Sequence, residues 1–355
     1  MTERTLRYGI IGTGMMGHEH VRNLALVPGA EVVAYSDPSS EQRWWTRQLV
    51  GEAPREYDDH AALLADDAVD AVVIASPNHT HAAVLQEVFA SGKHVLCEKP
   101  LCTTVEDAKR IVGQAEKHPG VFWVAMEYRY MAPIARLVEE VRAGTVGTLR
   151  MVAIREHRYP FLPKVGDWNR FSRNTGGTFV EKCCHFFDLM RLITGSDPVR
   201  VYASAGMDVN HLDEVYEGER ADILDNGFVT VDFASGARGL LDLCMFAEAS
   251  RNEQEIAATG DAGKVECFVP ESTVVIGKRN PRSVESETIA VDGDVLAAGA
   301  HHGSTFVEHQ EFRRAVLEGG HAAVSARDGL FAVAMGAAAE RSAVERRPIE
   351  IAELL

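Results

Sequence analysis

Lys99 closes the run His94-Val95-Leu96-Cys97-Glu98-Lys99-Pro100, which opens after Gly92-Lys93. A short buried strand has no structural need for Glu-Lys-Pro at its carboxyl end. In open parallel α/β sheets that end faces the ligand crevice. An ammonium placed there can hydrogen-bond a bound molecule and stabilise negative charge developing on an oxygen. A solvated strand end would carry the same charges, so the reading needs a second signal in the same sheet.

That signal is Tyr8-Gly9-Ile10-Ile11-Gly12-Thr13-Gly14-Met15-Met16-Gly17. An apolar strand runs directly into a G-x-G-x-x-G turn. Gly12 permits the tight turn, Gly14 lets the backbone approach a pyrophosphate, and Gly17 allows close helix–strand packing. Thr13, Met15 and Met16 complete the phosphate-binding turn, and the next helix offers free amides and its positive dipole end. A second strand, Glu31 to Ser36, ends at Asp37. Asp37 lies about twenty residues beyond the turn, the spacing of the acid that binds an adenosine ribose. A carboxylate there favours NAD and repels the 2′-phosphate of NADP. The alternative for Asp37 is a turn residue in Ser36-Asp37-Pro38-Ser39.

A third group lies far downstream, in Gly176-Gly177-Thr178-Phe179-Val180-Glu181-Lys182-Cys183-Cys184-His185-Phe186-Phe187-Asp188. Read as one helix, it puts Glu181 and His185 on a shared face, with Asp188 one turn further on. A carboxylate above an imidazole suits proton transfer, because the acid orients the ring and the ring moves the proton. An ordinary exposed ion pair would look similar. The surrounding Phe179, Val180, Phe186, Phe187, Leu189 and Met190 predict instead a largely buried helix, in which polar groups need partners.

The elements that must hold these residues alternate in the first third of the chain. Asp70 to Ser76 is a strand, apolar enough to be covered on both faces. Ala82 to Ala90 is a helix stopped by Ser91-Gly92, Thr103 to Glu106 a capping box for a helix reaching about Lys117, and Val121 to Met126 a strand. This alternation predicts an amino-terminal Rossmann domain, residues 1–126, built on a doubly wound parallel sheet. Beyond it come the helix Ile134 to Ala143 and strands at Leu149–Glu156, Val199–Ala205, Asn226–Phe233, Gly239–Ala247, Gln254–Gly260 and Gly263–Phe268. Residues 207–222 read as a loop. Residues 127–355 are therefore expected to form an α+β domain for substrate binding and oligomerisation, with a large, mostly antiparallel open sheet.

Composition bounds the function. The 355 residues are 46% hydrophobic, enough for two cores. The net charge of −16 comes with no basic stripe, which argues against nucleic acid. The stretch Met1 to Arg4 leaves no room for a signal peptide, and no apolar run is long enough to span a bilayer. A cytoplasmic protein with no membrane partner is expected. The six cysteines lack C-x-x-C spacing and the histidines form no H-E-x-x-H pattern, so neither disulfides nor a metal are expected.

Taken together, the Gly12–Gly17 turn, Ser76-Pro77-Asn78-His79-Thr80-His81, Gly92 to Pro100, Gly176-Gly177 with His185 and Asp188, and the closing helix Asp328 to Ala343 resemble the Gfo/Idh/MocA family, over nearly the whole chain. The resemblance implies a nicotinamide cofactor and catalysis by Lys99, Glu181 and His185. It implies that Asn78 and His81 lie near the nicotinamide ribose, that Ser76 and Pro77 also bind the cofactor, that Glu98 stands in the cofactor crevice, and that the Lys99–Pro100 bond is cis. One departure is that the family usually has Asp where this chain has Glu181, and small residues where it has Lys182-Cys183. Either Glu181 or Asp188 could then orient His185.

The expected activity is reversible oxidation of a secondary alcohol on a sugar or cyclitol, with NAD as cofactor. Tyr128, Arg129, His157, Arg158, Trp168, Arg170 and Asp188 are weaker substrate-side candidates, for each of which, taken singly, a structural role is the first reading. Two other outcomes are an NAD-retaining enzyme that cleaves glycosides and a nucleotide-sensing regulator. The latter would need neither Lys99 nor His185. An uncovered apolar face on the second sheet is expected to make the chain a homo-dimer or homo-tetramer.

Overall fold

A computed structural model describes residues 4–355 of the protein. The stretch 1–3, read above as leaving no room for a leader, lies outside the described residues. Two compact units are present. One runs to Glu127 and includes Asp292–Leu330; the other comprises Tyr128–Val291 and Phe331–Leu355.

In the first unit, β1 (Leu6–Ile11), β2 (Ala30–Ser36), β3 (Arg55–Tyr57), β4 (Ala71–Ile74), β5 (His94–Glu98) and β6 (Phe122–Ala125) form a parallel sheet in the order β3-β2-β1-β4-β5-β6. Helices α1 (Met15–Leu26), α2 (Ser40–Val50), α3 (His60–Leu64), α4 (His81–Ser91) and α5 (Val105–Ala115) make the crossovers. Strand order reverses between β1 and β4, and the carboxyl ends of strands at such a switch point form the ligand crevice. All four residues of β4 are buried, as a strand covered on both faces requires. Thr104, rather than Thr103, caps α5 by accepting the Asp107 amide. Gly92, at φ 72°, stops α4 in the left-handed region that glycine adopts without strain.

The second unit holds α6 (Ala132–Arg142), β7 (Leu149–His157), α7 (Ser172–Thr175), α8 (Thr178–Glu181), α9 (Cys184–Thr194) and β8 (Pro198–Gly206). The expected loop at 207–222 contains a small hairpin, β9 (Val215–Tyr216) with β10 (Glu219–Arg220). There follow β11 (Asn226–Phe233), β12 (Arg238–Cys244), β13 (Gln254–Gly260), β14 (Gly263–Val269), β15 (Thr273–Arg279), β16 (Arg282–Thr288) and the terminal β17 (Ile349–Glu350). Nine of these strands form one sheet, β16-β15-β14-β13-β7-β12-β11-β8-β17. It is antiparallel except where β12 runs parallel to β7.

Alternation sorts this sheet into two faces. Val152, Ile154, Val229, Val231, Leu241 and Leu243 are buried in a core with Phe186, Phe187 and Met190 of α9 and Ile134 and Leu137 of α6. Met151, Tyr202, Phe228 and Leu240 are exposed.

Two expectations require correction. Residues 292–330 do not belong to the second unit. This segment contains α10 (Gly293–Ala297), α11 (Ser304–Glu318) and the start of α12 (Ala326–Glu345), and it is held to the first unit by polar contacts. Trp123 Nε1 donates to Glu308, His309 meets His20 at 2.9 Å, and Arg313 Nε donates to the Gly29 carbonyl. The helix expected across Gly177 to Asp188 is also broken. The Cys183 amide reaches back to the Thr178 carbonyl at 3.4 Å, and helical bonding restarts with the Phe186 and Phe187 amides on the Cys183 carbonyl. Lys182, at the break, is drawn to Glu156 on β7. Because α8 and α9 are separate, four-residue spacing does not by itself put Glu181 and His185 on one face.

Candidate active site

The candidate residues divide between the two units. In the first, the glycine turn has the shape a dinucleotide needs. Gly12 has φ 87°, and a Cβ there would lie 2.5 Å from the Ser76 amide nitrogen. A Cβ on Gly17 would lie 2.2 Å from the Gly12 carbonyl oxygen. Over Gly14 a Cβ would meet nothing within 4 Å, so the backbone is open to close approach. Met15 and Met16 begin α1, whose first amides have no intrahelical acceptor.

Asp37 takes the turn role foreseen for it and also ties β2 to the glycine turn. One carboxylate oxygen accepts the Thr13 amide at 2.9 Å and the other accepts Ser39 at 2.8 Å. Each oxygen keeps further lone pairs for a hydroxyl donor. The hydroxyls of Thr13, whose amide Asp37 accepts, and of the adjacent Ser36 are buried without a protein partner. Asn78 Nδ2, beyond β4, is likewise buried and unpartnered. Open backbone at Gly14, Asp37 and these unpartnered polar atoms fit a polar dinucleotide on the carboxyl edge of the sheet.

Other first-unit candidates are supports. The buried His81 imidazole bridges the Pro100 and Ser76 carbonyls, at 2.9 and 3.0 Å, and burial lowers its pKa. Ser76 Oγ meets Thr80 Oγ1 at 2.7 Å, and Thr80 Oγ1 donates to the Pro77 carbonyl. Glu98 is buried, with one oxygen 2.9 Å from His20 Nε2 and the other accepting the Lys99 amide at 3.0 Å. Burial would raise this carboxyl, but His20 and the Lys99 ammonium outweigh it and hold it at about 2. Since a carboxylate only accepts, His20 donates from Nε2 when neutral and accepts from His309 on Nδ1. The Lys99–Pro100 peptide is cis.

A linked set of three groups, Glu127, His301 and Glu19, was not anticipated. Burial pushes the Glu127 carboxyl, just past β6, up to about 7, against the pull of His301 and with Glu98 adding to the rise. His301 Nδ1 lies 2.6 Å from Glu19 on α1, and its Nε2 lies 3.6 Å from Glu127. Burial pulls the His301 pKa down, but Glu19 and Glu127 together raise it. A carboxylate following a strand at the ligand edge could have flagged Glu127. Nothing local marks His301 or Glu19.

In the second unit, His185 on α9 is 2% exposed and lies flat on the Tyr128 ring, with centroids 4.0 Å apart and planes within 6°. Glu181 is buried at the end of α8. Asp188 is engaged by both the Nε and a terminal nitrogen of Arg129. The Tyr128 hydroxyl accepts from the buried Lys182 ammonium at 2.7 Å, and Lys182 pairs with Glu156 at 2.9 Å. Arg158 lies against the same group. Burial would weaken its hold on the proton, but Tyr128 and Glu156 strengthen it.

Not every substrate-side candidate joins this cluster. On β7, Glu156 is buried on the core face, so the next residue, His157, points the other way and pairs with Asp242 at 3.1 Å. Arg170 is buried and bonded to Glu214 and the Tyr216 hydroxyl, and the Trp168 carbonyl accepts from Asn174. These contacts tie the 165–175 segment to the 208–222 loop. Lys182 and Glu156 were not foreseen as site residues, although a lysine inside an apolar helical run is itself a signal.

Residues 6–126 match the family model of the Gfo/Idh/MocA oxidoreductases described as the NAD-binding Rossmann fold, and residues 138–351 match its C-terminal α/β domain. The chain is 29% identical to the myo-inositol 2-dehydrogenase of Thermotoga maritima, over 99% of this chain and 100% of that protein. It is 30% identical to inositol 2-dehydrogenase 1 of Saccharopolyspora erythraea, over 98% of this chain and 96% of that one. The crystal structure of an oxidoreductase domain protein from Kribbella flavida shares the fold, with a TM-score of 0.88 at 23% identity, covering 98% of this chain and 100% of that one.

Proposed function

We propose, since the chain belongs to the Gfo/Idh/MocA oxidoreductase family, that it oxidises a secondary alcohol of a cyclitol or sugar reversibly with NAD. The observation that carries this reading is Lys99 at the carboxyl end of β5, on the ligand edge of a sheet whose glycine turn and Asp37 are shaped for a dinucleotide. Relatives over the full length are inositol dehydrogenases, which supports a polyhydroxy substrate.

The Gly12–Gly17 turn holds the pyrophosphate, Asp37 takes the adenosine ribose hydroxyls, and Asn78 meets the nicotinamide end. When bound, the nicotinamide supplies the hydride acceptor. His185 takes the hydroxyl proton on a ring nitrogen. Lys99 donates a hydrogen bond to the same oxygen and stabilises its developing charge. Glu181 orients His185 or binds a neighbouring hydroxyl, since Asp188 is committed to Arg129. Copies of the chain pair through the open face of the nine-stranded sheet, where Phe228, Tyr202, Leu240 and Met151 are exposed on adjoining strands.

The test is a screen of sugars and cyclitols with NAD and with NADP, read as absorbance of the reduced cofactor. Turnover of a cyclitol or sugar with NAD is the expected result. Release of free sugar from a glycoside, with no net reduced cofactor, would replace this reading with glycoside cleavage. Dinucleotide binding without turnover of any polyol would leave only a sensor.

A further inference from the structure

Lys182 lies between the two residues to which chemistry has been assigned, yet its ammonium is turned away from water. Its side chain is 6% exposed. Burying an ammonium costs several kcal/mol unless it is paired and hydrogen-bonded, and an apolar side chain of like volume often serves the fold as well or better. The pairing here is specific. Glu156, with a fully buried side chain, stands 2.9 Å from Nζ, and its other oxygen accepts Gln254 Nε2 at 2.8 Å. The ammonium also donates to the Tyr128 hydroxyl at 2.7 Å and lies 5.6 Å from the centre of the Phe186 ring.

The consequence lies on the far side of the tyrosine. A phenol whose hydroxyl is held by a fixed cation cannot slide or tilt freely in its plane. The Tyr128 ring is the surface on which His185 rests, centroids 4.0 Å apart and planes within 6°. Phe186 closes the tyrosine edge-on, with centroids 5.8 Å apart. A stacked ring fixes the plane of an imidazole and hence the direction in which its nitrogens point. Proton transfer is sensitive to that direction, since misplacement by about 1 Å can cost a hundredfold.

We propose that Lys182 is a positioning residue: anchored by Glu156, it holds the Tyr128 ring flat against His185 and so sets the orientation in which His185 takes the substrate proton. The catalytic part of this inference rests on the role given to His185 above; the anchoring part does not.

Two variants separate the possibilities. Lys182→Met removes the ammonium and keeps the length. Tyr128→Phe keeps the ring and removes the hydroxyl, and it remains available if Lys182→Met fails to fold. The first readout needs no substrate. In protein carrying isotope-labelled histidine, the His185 imidazole C–H resonances are identified by their loss in His185→Asn. Ring current from Tyr128 displaces them in the parent. Both variants should move them towards the position of an unstacked histidine or broaden them. Unchanged His185 resonances in a folded variant overturn the proposal, whatever happens to turnover.

The second readout is oxidation of myo-inositol with NAD. Lys182→Met should lower kcat about tenfold in the parent, leave the KM for NAD unchanged, and cost nothing further in the His185→Ala background, because its effect passes through that ring. Equal losses in both backgrounds, or moved resonances with parental kcat, overturn the positioning role. Failure of myo-inositol to turn over in the parent would count against the proposed function alone, and the resonances would still decide whether Lys182 orders the stack.

Discussion

The Asp37 carboxylate accepts the Thr13 amide at 2.9 Å, so the acid at the end of β2 is tied to the glycine turn after β1. It therefore helps shape the glycine turn, and the proposed function also gives it the adenosine ribose. The adjacent guanidinium of Arg43 is already engaged by Glu56 and by the Asp37 and Pro38 carbonyls. NAD should be clearly preferred over NADP. Asp37→Asn keeps the size and removes the charge, and the ratio of kcat/KM values should move towards NADP by about ten- to a hundredfold, the scale of one hydrogen bond to a charged group. Steady-state kinetics with both cofactors decides this; an unchanged ratio would reassign Asp37 to the turn alone.

Lys99→Ala and His185→Ala should each retain the fold and NAD binding, measured by titration, while turnover falls by roughly two to four orders of magnitude. Oxidation by the parent should rise with pH, because only a neutral imidazole accepts a proton. That rise should vanish in His185→Ala. Near-parental turnover with the same pH profile in that variant would move the base to another group.

Glu340 predicts how stability depends on pH. Burial raises its carboxyl from 4.5 to about 7, although it accepts the Phe179 amide at 2.8 Å. Between those values the folded chain keeps a proton that the unfolded chain releases. Stability from this group is thus full below about 4.5 and is lost as pH rises through 7. Glu340→Gln preserves the acceptor and cannot ionise. It should stabilise the protein at pH ~8, by on the order of 1–3 kcal/mol, and leave it nearly unchanged at pH ~5. Thermal melts at the two pH values test this, and equal effects at both would contradict it. Part of the slope should survive in the variant, since Glu127 is raised to about 7 as well.

Light scattering at micromolar concentration should give a dimer or tetramer. Phe228, at 59% exposure, and Leu240 lie on neighbouring strands of the open face. Replacing both by Asp should yield a folded monomer, because charge on an apolar interface cannot be desolvated cheaply. A monomeric parent, or a variant that still assembles, would point to another surface.

Much of the first unit was legible because its chemistry is local. Gly12, Gly14, Gly17 and Asp37 act through backbone conformation and spacing within one strand–turn–helix–strand segment, and Lys99 follows its own strand. The hairpin of β15 and β16 passed unread although its partners adjoin in sequence, and β17 passed unread because its partner β8 lies far away in sequence.

What only the tertiary structure decided is long-range. Residues 292–330 return to the first unit because His309 and Arg313 find partners at His20 and Gly29, contacts that no local pattern encodes. The apolar run around Glu181 and His185 correctly announced burial. The break between α8 and α9 did not show; Lys182, which stands at it, pairs with Glu156 on a strand that local sequence does not bring near. Alternation along β7 was visible, but which face would carry the core was not, so His157 stood beside Tyr128 as a candidate until packing separated them. Local backbone preference and spacing were enough to find the cofactor turn; the orientation of the imidazole is set by side chains that only folding brings together.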